Sequence, residues 1–431
     1  MRQSYLALFI AYLLLHVAQA QTKPIVERSF VEKMLYSLAN DDMRGRHALS
    51  ADADKAADVI AEAFTEIGLT PYTETGYRQT FTMTSITRKS QRITWNNSVL
   101  NPDSYIILSN APKISWNNKS SIRTLNIDKG DNFAQRFREI ALSEGDALVI
   151  IDPSFASYIS RYAKIYDRQN VVNSQAIDQS SKVFVVSDKR PKKYEVTHEN
   201  TVKDVNLSNV AGIIPGKTKP EEYVIFSGHY DHIGIIAAEG QDSIANGADD
   251  DASGITAMIS LAKYYKNENA NARTLIFVAF TAEEIGMFGS KYFSNHINPD
   301  QVTAMINIEM IGKDSKFGPN TLYITGYDRS NLGALMQENL KGSDFTFHAD
   351  PYTKQNLFYR SDNAVLAALG VPAHTFSTSQ IDKDIYYHTV KDEISTLDIG
   401  NIISSIEAIA IGAKGIVDGS QTPTRVEKLT P

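Results

Sequence analysis

Five short segments in the second half of the chain collect side chains that bind divalent cations: His229-Tyr230-Asp231, Asp249-Asp250-Asp251, Glu283-Glu284, Glu309 and His388. Imidazole nitrogen and carboxylate oxygen, with no thiolate, are donors suited to Zn²⁺, with Co²⁺ or Mn²⁺ as substitutes. Each segment alone is ordinary. An H-x-D triplet recurs by chance, aspartates at a helix start are favoured by the helix dipole, and a lone histidine is more often a hydrogen-bonded one. Their serial placement at the ends of apolar runs is what departs from chance. Asp250, Glu284 and Glu309 carry three negative charges, a bridging hydroxide would add a fourth, and two divalent cations would neutralise the set.

The expected chemistry follows from each segment. A metal-binding imidazole gives its other N–H to an acceptor, and the Asp231 carboxylate, two residues on from His229, is the expected orienting group. The Gly and Ala residues around Asp249-Asp250-Asp251 would let backbone and metal approach closely. Neighbouring carboxylates at the end of a buried strand repel and lose solvation unless a cation or proton answers them. One of the Glu283-Glu284 pair could ligate metal while the other serves as general base. A second H-x-D string, His348-Ala349-Asp350, falls in a predicted loop and reads as a surface feature.

Strands and helices must deliver these groups. From Leu207 onward apolar strands at Tyr223 to Phe226, Thr274 to Phe280, Thr303 to Ile308, Thr321 to Thr325 and Ala373 to Phe376 alternate with helical patterns at Ile255 to Tyr265, Leu332 to Leu340 and from about Leu397. Alternation of this kind predicts an α/β fold with a mostly parallel central sheet and helices on both faces, whose ligands gather beyond the carboxyl ends of the strands. Two amphipathic helices precede it, one carrying Phe30, Val31, Met34, Leu35 and Leu38, the other Ala57, Ile60, Ala61, Phe64 and Ile67, with Ser50 and Gly68 as its caps. From about Tyr77 to about Asp204, between these helices and the alternating region, lies a Ser- and Asn-rich stretch that reads as a β-rich inserted domain with no cluster suggesting chemistry. The expected division is residues 1–20 as a signal peptide, 21–80 with 205–417 as catalytic domain, 81–204 as the insertion, and 418–431 as a frayed polar tail.

Composition limits the alternatives. At 431 residues, 42% hydrophobic and 22% charged, with net charge −7, the chain offers neither a basic stripe for nucleic acid nor a polybasic membrane patch, and a peptide or small amide is the expected substrate. The apolar run from Tyr5 to Val17, followed by Ala18-Gln19-Ala20, predicts export with cleavage, leaving no membrane span. Total absence of cysteine rules out disulfides and suits a bacterial periplasm. Oligomeric state is left open by the sequence.

The strings SGHYDHIG, NGADDDASG, FTAEEIG, NIEMIG and YYHTVKD, with a weaker RSD at Arg360-Ser361-Asp362, resemble metallopeptidase family 28 over about residues 206–415. This family of co-catalytic dizinc aminopeptidases also includes glutamate carboxypeptidases and is related to the glutaminyl cyclases. The resemblance implies that His229 and Glu309 bind one zinc, Glu284 and His388 the other, and that Asp250 bridges them. It implies Glu283 as general base, Tyr387 as the group polarising the scissile carbonyl, Arg360 near the substrate, and a protease-associated or lid-like role for the insertion. Many family members have Asp where Glu309 stands, a one-methylene shift that leaves a one-metal site open. An exported zinc aminopeptidase is the leading expectation. A glutaminyl-peptide cyclase using the same pocket and a metal-free binding homologue are the alternatives.

Overall fold

A computed structural model of the protein describes residues 24–166, 170–174 and 177–429. The expected signal peptide lies outside the described residues. The chain divides into two compact units, one comprising residues up to 79 together with 208–431, the other residues 80–207.

The larger unit opens with helices α1 (Arg28–Ala39) and α2 (Ala51–Ile67). Helix α2 starts where the Ser50 side chain accepts the Asp52 N–H and stops at Gly68, whose φ of 79° ends the helix in a left-handed cap. The sheet is built from β1 (Lys219–His229), β2 (Arg273–Phe280), β3 (Val302–Ile308), β4 (Thr321–Ile324), β5 (Thr346–Ala349) and β6 (Ala373–Ser377). Their spatial order is β5-β4-β6-β3-β1-β2, followed by the 208–214 end of the strand Tyr194–Ile214. Strands β2, β1, β3 and β6 are parallel neighbours, so their carboxyl ends share one rim, while β4 meets β6 antiparallel and Val210–Ile214 meets β2 antiparallel.

Successive strand residues point to opposite faces, and both faces are covered. Val224, Phe226, Leu275, Phe277 and Ile306 pack on the side of α1, α2, α3 (Gly254–Glu268) and α7 (Ile399–Gly412). Ile225, Ile276, Val278 and Met305 pack on the other, with Phe293 of α4 (Phe288–Ser294) and Leu366 and Ala367 of α6 (Asn363–Ala368). Helix α5 (Leu332–Asn339) joins the first layer through Leu332 and Met336. This is the expected α/β architecture, a mostly parallel sheet between two helical layers.

Three expectations need correction. His348 is not in a loop: it sits in β5, paired with β4, and its ring stacks on Phe317 at 4.0 Å. Four residues between turns give too short an alternation for a strand to be read. The tail is not frayed over its described part: Val426 is buried, Arg273 donates to the Gln421 carbonyl and the Thr422 hydroxyl, and the Val426 N–H donates to Gly370. Its polar residues bond to neighbouring backbone, so polarity does not mean solvation. The smaller unit is mixed rather than simply β-rich. Parallel strands Arg123–Ile127, Ala147–Ile151 and Ser181–Val186 are accompanied by helices Phe133–Ala141 and Ala156–Ile165, whose Phe133, Phe137, Ile140 and Ile159 pack on Val149, Ile151 and Phe184.

Candidate metal centre

The parallel register fixes where the acidic and imidazole groups go. His229 is the last residue of β1, the turn after β2 carries Glu283 and Glu284, and Glu309 follows β3 directly. His388 comes from the long loop after β6, and Asp250 from the irregular turn Ala248–Ser253 that leads into α3. One of these positions and the neighbours of two others use left-handed backbone: His388 itself at φ 57°, Ala282 before Glu283 at φ 57° and Met310 after Glu309 at φ 53°. Left-handed backbone in non-glycine residues costs on the order of 1–3 kcal/mol each and persists only where surrounding structure enforces it, as it does around these ligand positions.

The donor atoms converge. His229 Nε2 lies 3.3 Å from Asp250 Oδ1 and 3.5 Å from Glu309 Oε1, and His388 Nε2 lies 3.2 Å from Asp250 Oδ2 and 3.2 Å from Glu284 Oε2. Among the described residues neither imidazole nitrogen has a partner in hydrogen-bond geometry, although the carboxylates are this near. Two donors held about 2.0–2.1 Å from one tetrahedral zinc ion stand roughly 3.3 Å apart, which is the spacing observed. Asp250 turns one oxygen toward each imidazole, the geometry of a bridging carboxylate. The residues therefore fit two zinc ions.

Electrostatics agrees with the geometry. Burial opposes charge on His388, yet the Asp250 and Glu284 carboxylates outweigh it and push the imidazole up to about 10. The same contest raises His229, where Asp250 and Glu309 overcome burial. Burial would raise the Glu284 carboxyl, and Asp250 adds to this, but His232 and His388 hold it down at about 2. Protons on the imidazoles thus play the part that a cation would take over.

Around the donors stands a buried acidic support. Asp392 accepts the N–H groups of Asp249 and Asp250, both at 3.0 Å, and fixes the turn that presents the bridge. Lys313 Nζ answers that charge, 2.8 Å from Asp384, 3.5 Å from Asp249 and 3.8 Å from Asp392. Asp251 accepts from the N–H groups of His229, Gly254 and Met310, joining β1, α3 and the segment after β3. A Cβ on Gly228 would stand 2.7 Å from the Asp251 carboxylate, so this approach requires glycine.

Asp231 departs from expectation. His229 Nδ1 bonds to the Asp231 carbonyl at 3.0 Å, while the Asp231 carboxylate accepts the N–H groups of Glu283 and Glu284 at 3.1 and 3.3 Å. The main-chain oxygen is the nearer acceptor, and the side chain is left to orient the glutamate turn. Two residues went unremarked in the sequence. Arg46, fully buried, donates to the carbonyls of Leu38, Tyr230, Asn246 and Gly247 and ties the β1 end to the Asp250 turn. His232 is also fully buried, with Nδ1 2.8 Å from Glu284 Oε1. The signal available for His232 was its place within SGHYDHIG, three residues after a proposed ligand.

A cavity of about 310 Å³ opens onto these groups. Asp250, Glu283, Glu284, Glu309, Tyr387 and His388 line it, and so does the exposed Arg360. Burial drives the Glu283 carboxyl well above the usual carboxylate range, and Glu309, Asp362 and Glu284 add to this against His229. Tyr387 stacks on the His388 ring at 3.9 Å, and its hydroxyl is held protonated by burial and the nearby carboxylates.

This arrangement and the chain's match to known proteins point the same way. Residues 209–411 match the model of Peptidase family M28, so the resemblance carried by the motifs holds over this stretch. The curated relatives include a "Probable zinc metalloprotease" of Pyrenophora teres f. teres, 31% identical over 140 residues, or 32% of this chain and 30% of that protein. A "Vacuolar membrane protease" of Schizosaccharomyces pombe is 26% identical over 235 residues, 53% of this chain and 26% of that protein. The matched stretches thus span about a third or less of these relatives' lengths. Among solved structures, an aminopeptidase from Aneurinibacillus sp. strain AM-1 has a TM-score of 0.56 at 18% identity, covering 94% of this chain and 96% of its own. A zinc aminopeptidase from Bacillus subtilis has a TM-score of 0.54 at 14% identity, covering 92% and 97%. Both share the fold.

Proposed function

We propose that the protein is a zinc-dependent exopeptidase, specifically an aminopeptidase that releases N-terminal amino acids from peptides. The observation that carries this reading is the convergence of His229, Asp250, Glu284, Glu309 and His388 at ligand spacing, on a cavity that also holds Glu283. Bound zinc would supply Lewis acidity to the scissile carbonyl and a water of lowered pKa. The charge of bound zinc would offset the burial and neighbouring carboxylates that hold a proton on Glu283, leaving that carboxylate to take a proton from the attacking water and return it to the leaving amine. The Tyr387 hydroxyl, kept neutral, donates to the carbonyl oxygen as charge develops there. Arg360 offers its cation to a carboxylate of the substrate. With Asp250, Glu284 and Glu309 answered by the two cations, Glu283 is the acidic group on the cavity wall left to attract the free amine that distinguishes an N-terminal residue.

The matches to zinc aminopeptidase folds and to proteins named zinc metalloproteases support this reading. A location outside the cytosol belongs to it, in keeping with the apolar N-terminal run and with relatives named for the vacuolar membrane. The narrower periplasmic expectation draws no support from these fungal relatives. No described helix is long and apolar enough to cross a membrane.

Hydrolysis of a panel of amino-acid arylamides and blocked peptides, with zinc removed by chelator and restored, tests the proposal. Release of the first residue from unblocked substrates, lost with chelator and regained with zinc, is expected. Cleavage confined to blocked peptides or C-terminal residues would end the aminopeptidase reading, and ammonia released from an N-terminal glutamine peptide would replace it with a cyclase.

A further inference from the structure

The two positions where donors converge are not built alike, and His232 makes the difference. Its ring is wholly buried, with Nδ1 2.8 Å from Glu284 Oε1 and 3.7 Å from Asp250 Oδ2, and its centre lies 5.6 Å from that of His388. Its Nε2 is buried with no hydrogen-bond partner among the described residues. Room for the ring is provided by Gly247, which has φ +57° and where a Cβ would come within 2.6 Å of the imidazole carbons. A donor atom from each of His232, Asp250, Glu284 and His388 can be chosen so that all lie within 4.8 Å of one another, and the same is true of the smaller set His229, Asp250 and Glu309.

We infer that His232 is a further metal ligand, so that one position is held by four protein side chains and the other by three. This rests on the two-zinc reading above. Four protein donors close a tetrahedral zinc site, whereas three leave one place for water or substrate. The four-donor position therefore fills first and holds its ion through dialysis. The three-donor position fills second, exchanges readily and is the one open to the reacting water. Glu284 would then serve its ion with one oxygen near each imidazole.

A hydrogen bond from His232 to Glu284 would explain the 2.8 Å contact without ligation, so the test must separate the two roles. His232→Asn retains a hydrogen-bonding side chain and is a far poorer zinc ligand, and His232→Ala removes both functions. Zinc titration of the metal-free full chain by calorimetry, with metal counted after dialysis, should show two unequal steps in the parent protein. In His232→Asn the tighter step should weaken by more than the roughly 10–100-fold that loss of a supporting hydrogen bond costs. Cobalt loaded to one equivalent should show an altered ligand-field spectrum in both variants. Circular dichroism melts of the metal-free proteins establish that each folds.

Two steps in the parent together with an unchanged tight step and cobalt spectrum in His232→Asn would overturn the inference while leaving the two-zinc reading intact. Failure of the parent to bind zinc at all would overturn both.

Discussion

Both compact units place aspartates where parallel strands end, yet among the described residues only the larger one brings carboxylates and imidazoles together at metal-ligand spacing. In the smaller unit Asp128 follows the strand Arg123–Ile127, Asp152 follows Ala147–Ile151, and Asp188 lies two residues past Ser181–Val186. Parallel pairing brings these strand ends to one edge, as it does for β1, β2 and β3. Asp128 and Asp188 are exposed, and Asp152 satisfies itself locally by accepting from the Ser154 N–H at 2.9 Å and hydroxyl at 2.6 Å. Those bonds lower its pKa. In the larger unit Asp250 is 2% exposed and Asp231, Asp249 and Asp251 are 0% exposed, and burial raises the carboxyls of Asp231 and Asp249 to about 6 and 7. Acid at a strand end is therefore a placement rule of the fold. A binding site needs, in addition, burial, imidazoles brought to the same point, and donor atoms left without partners.

This contrast can be broken by substitution. The largest effect is expected from Asp250→Ala, which removes the one side chain shared by both positions. Zinc content should fall by one to two ions per chain and turnover by about 10³-fold or more, since metal ions supply several kcal/mol of charge stabilisation in such reactions. Near-normal zinc content would show that the shared carboxylate is not a bridge. Next comes Glu283→Gln, expected to retain metal while losing roughly 10²–10⁴-fold in kcat, the range for a positioned acid or base. Loss of zinc in that variant would make Glu283 a ligand instead.

Proton linkage gives a second contrast between the two units. The Asp250 and Glu284 carboxylates push His388 up to about 10 from an ordinary 6.5, so a zinc ion bound there would have to expel a proton at neutral pH. Calorimetry in buffers of different ionisation enthalpy should detect proton release on loading, and zinc affinity should rise with pH. The sign for stability is opposite. Because the folded-state value is raised, this imidazole stabilises the metal-free protein fully below about 6.5, and that contribution is lost as pH climbs through about 10. A metal-free melting temperature that instead rose across this window would contradict the assigned carboxylate partners. The smallest effect belongs to the other unit. Asp152→Ala should leave zinc content and turnover unchanged and lower the melting temperature slightly, through the lost cap on the turn Pro153–Phe155.

Much of this was legible in the amino-acid order, for identifiable reasons. Strands buried on both faces read as unbroken apolar runs, as β2 does with all eight residues buried, and such runs announce the groups that follow them. Caps on α2 were equally plain, because Ser50 and Gly68 do there what their chemistry favours elsewhere. Contacts set by the folded backbone were not legible. Nothing in H-x-D spacing tells whether His229 meets the carboxylate or the carbonyl of Asp231, since both lie within reach of one imidazole. Arg46 precedes the nearest carbonyl it serves beyond the first helices by 184 residues, so no local pattern could mark it. The chain has nine histidines, and three of them meet at Asp250. The direction of His232 is not marked in the sequence, because a residue in the turn after a strand has no periodicity to betray it.

If two cations sit side by side at the carboxyl rim of β1, β2 and β3, anomalous diffraction at the zinc edge from zinc-loaded crystals will locate them. Two peaks roughly 3.5–4 Å apart are predicted, the spacing of two-metal hydrolytic sites, with Asp250 touching both. A single peak away from Asp250, or none in protein that still hydrolyses peptides, would contradict the account.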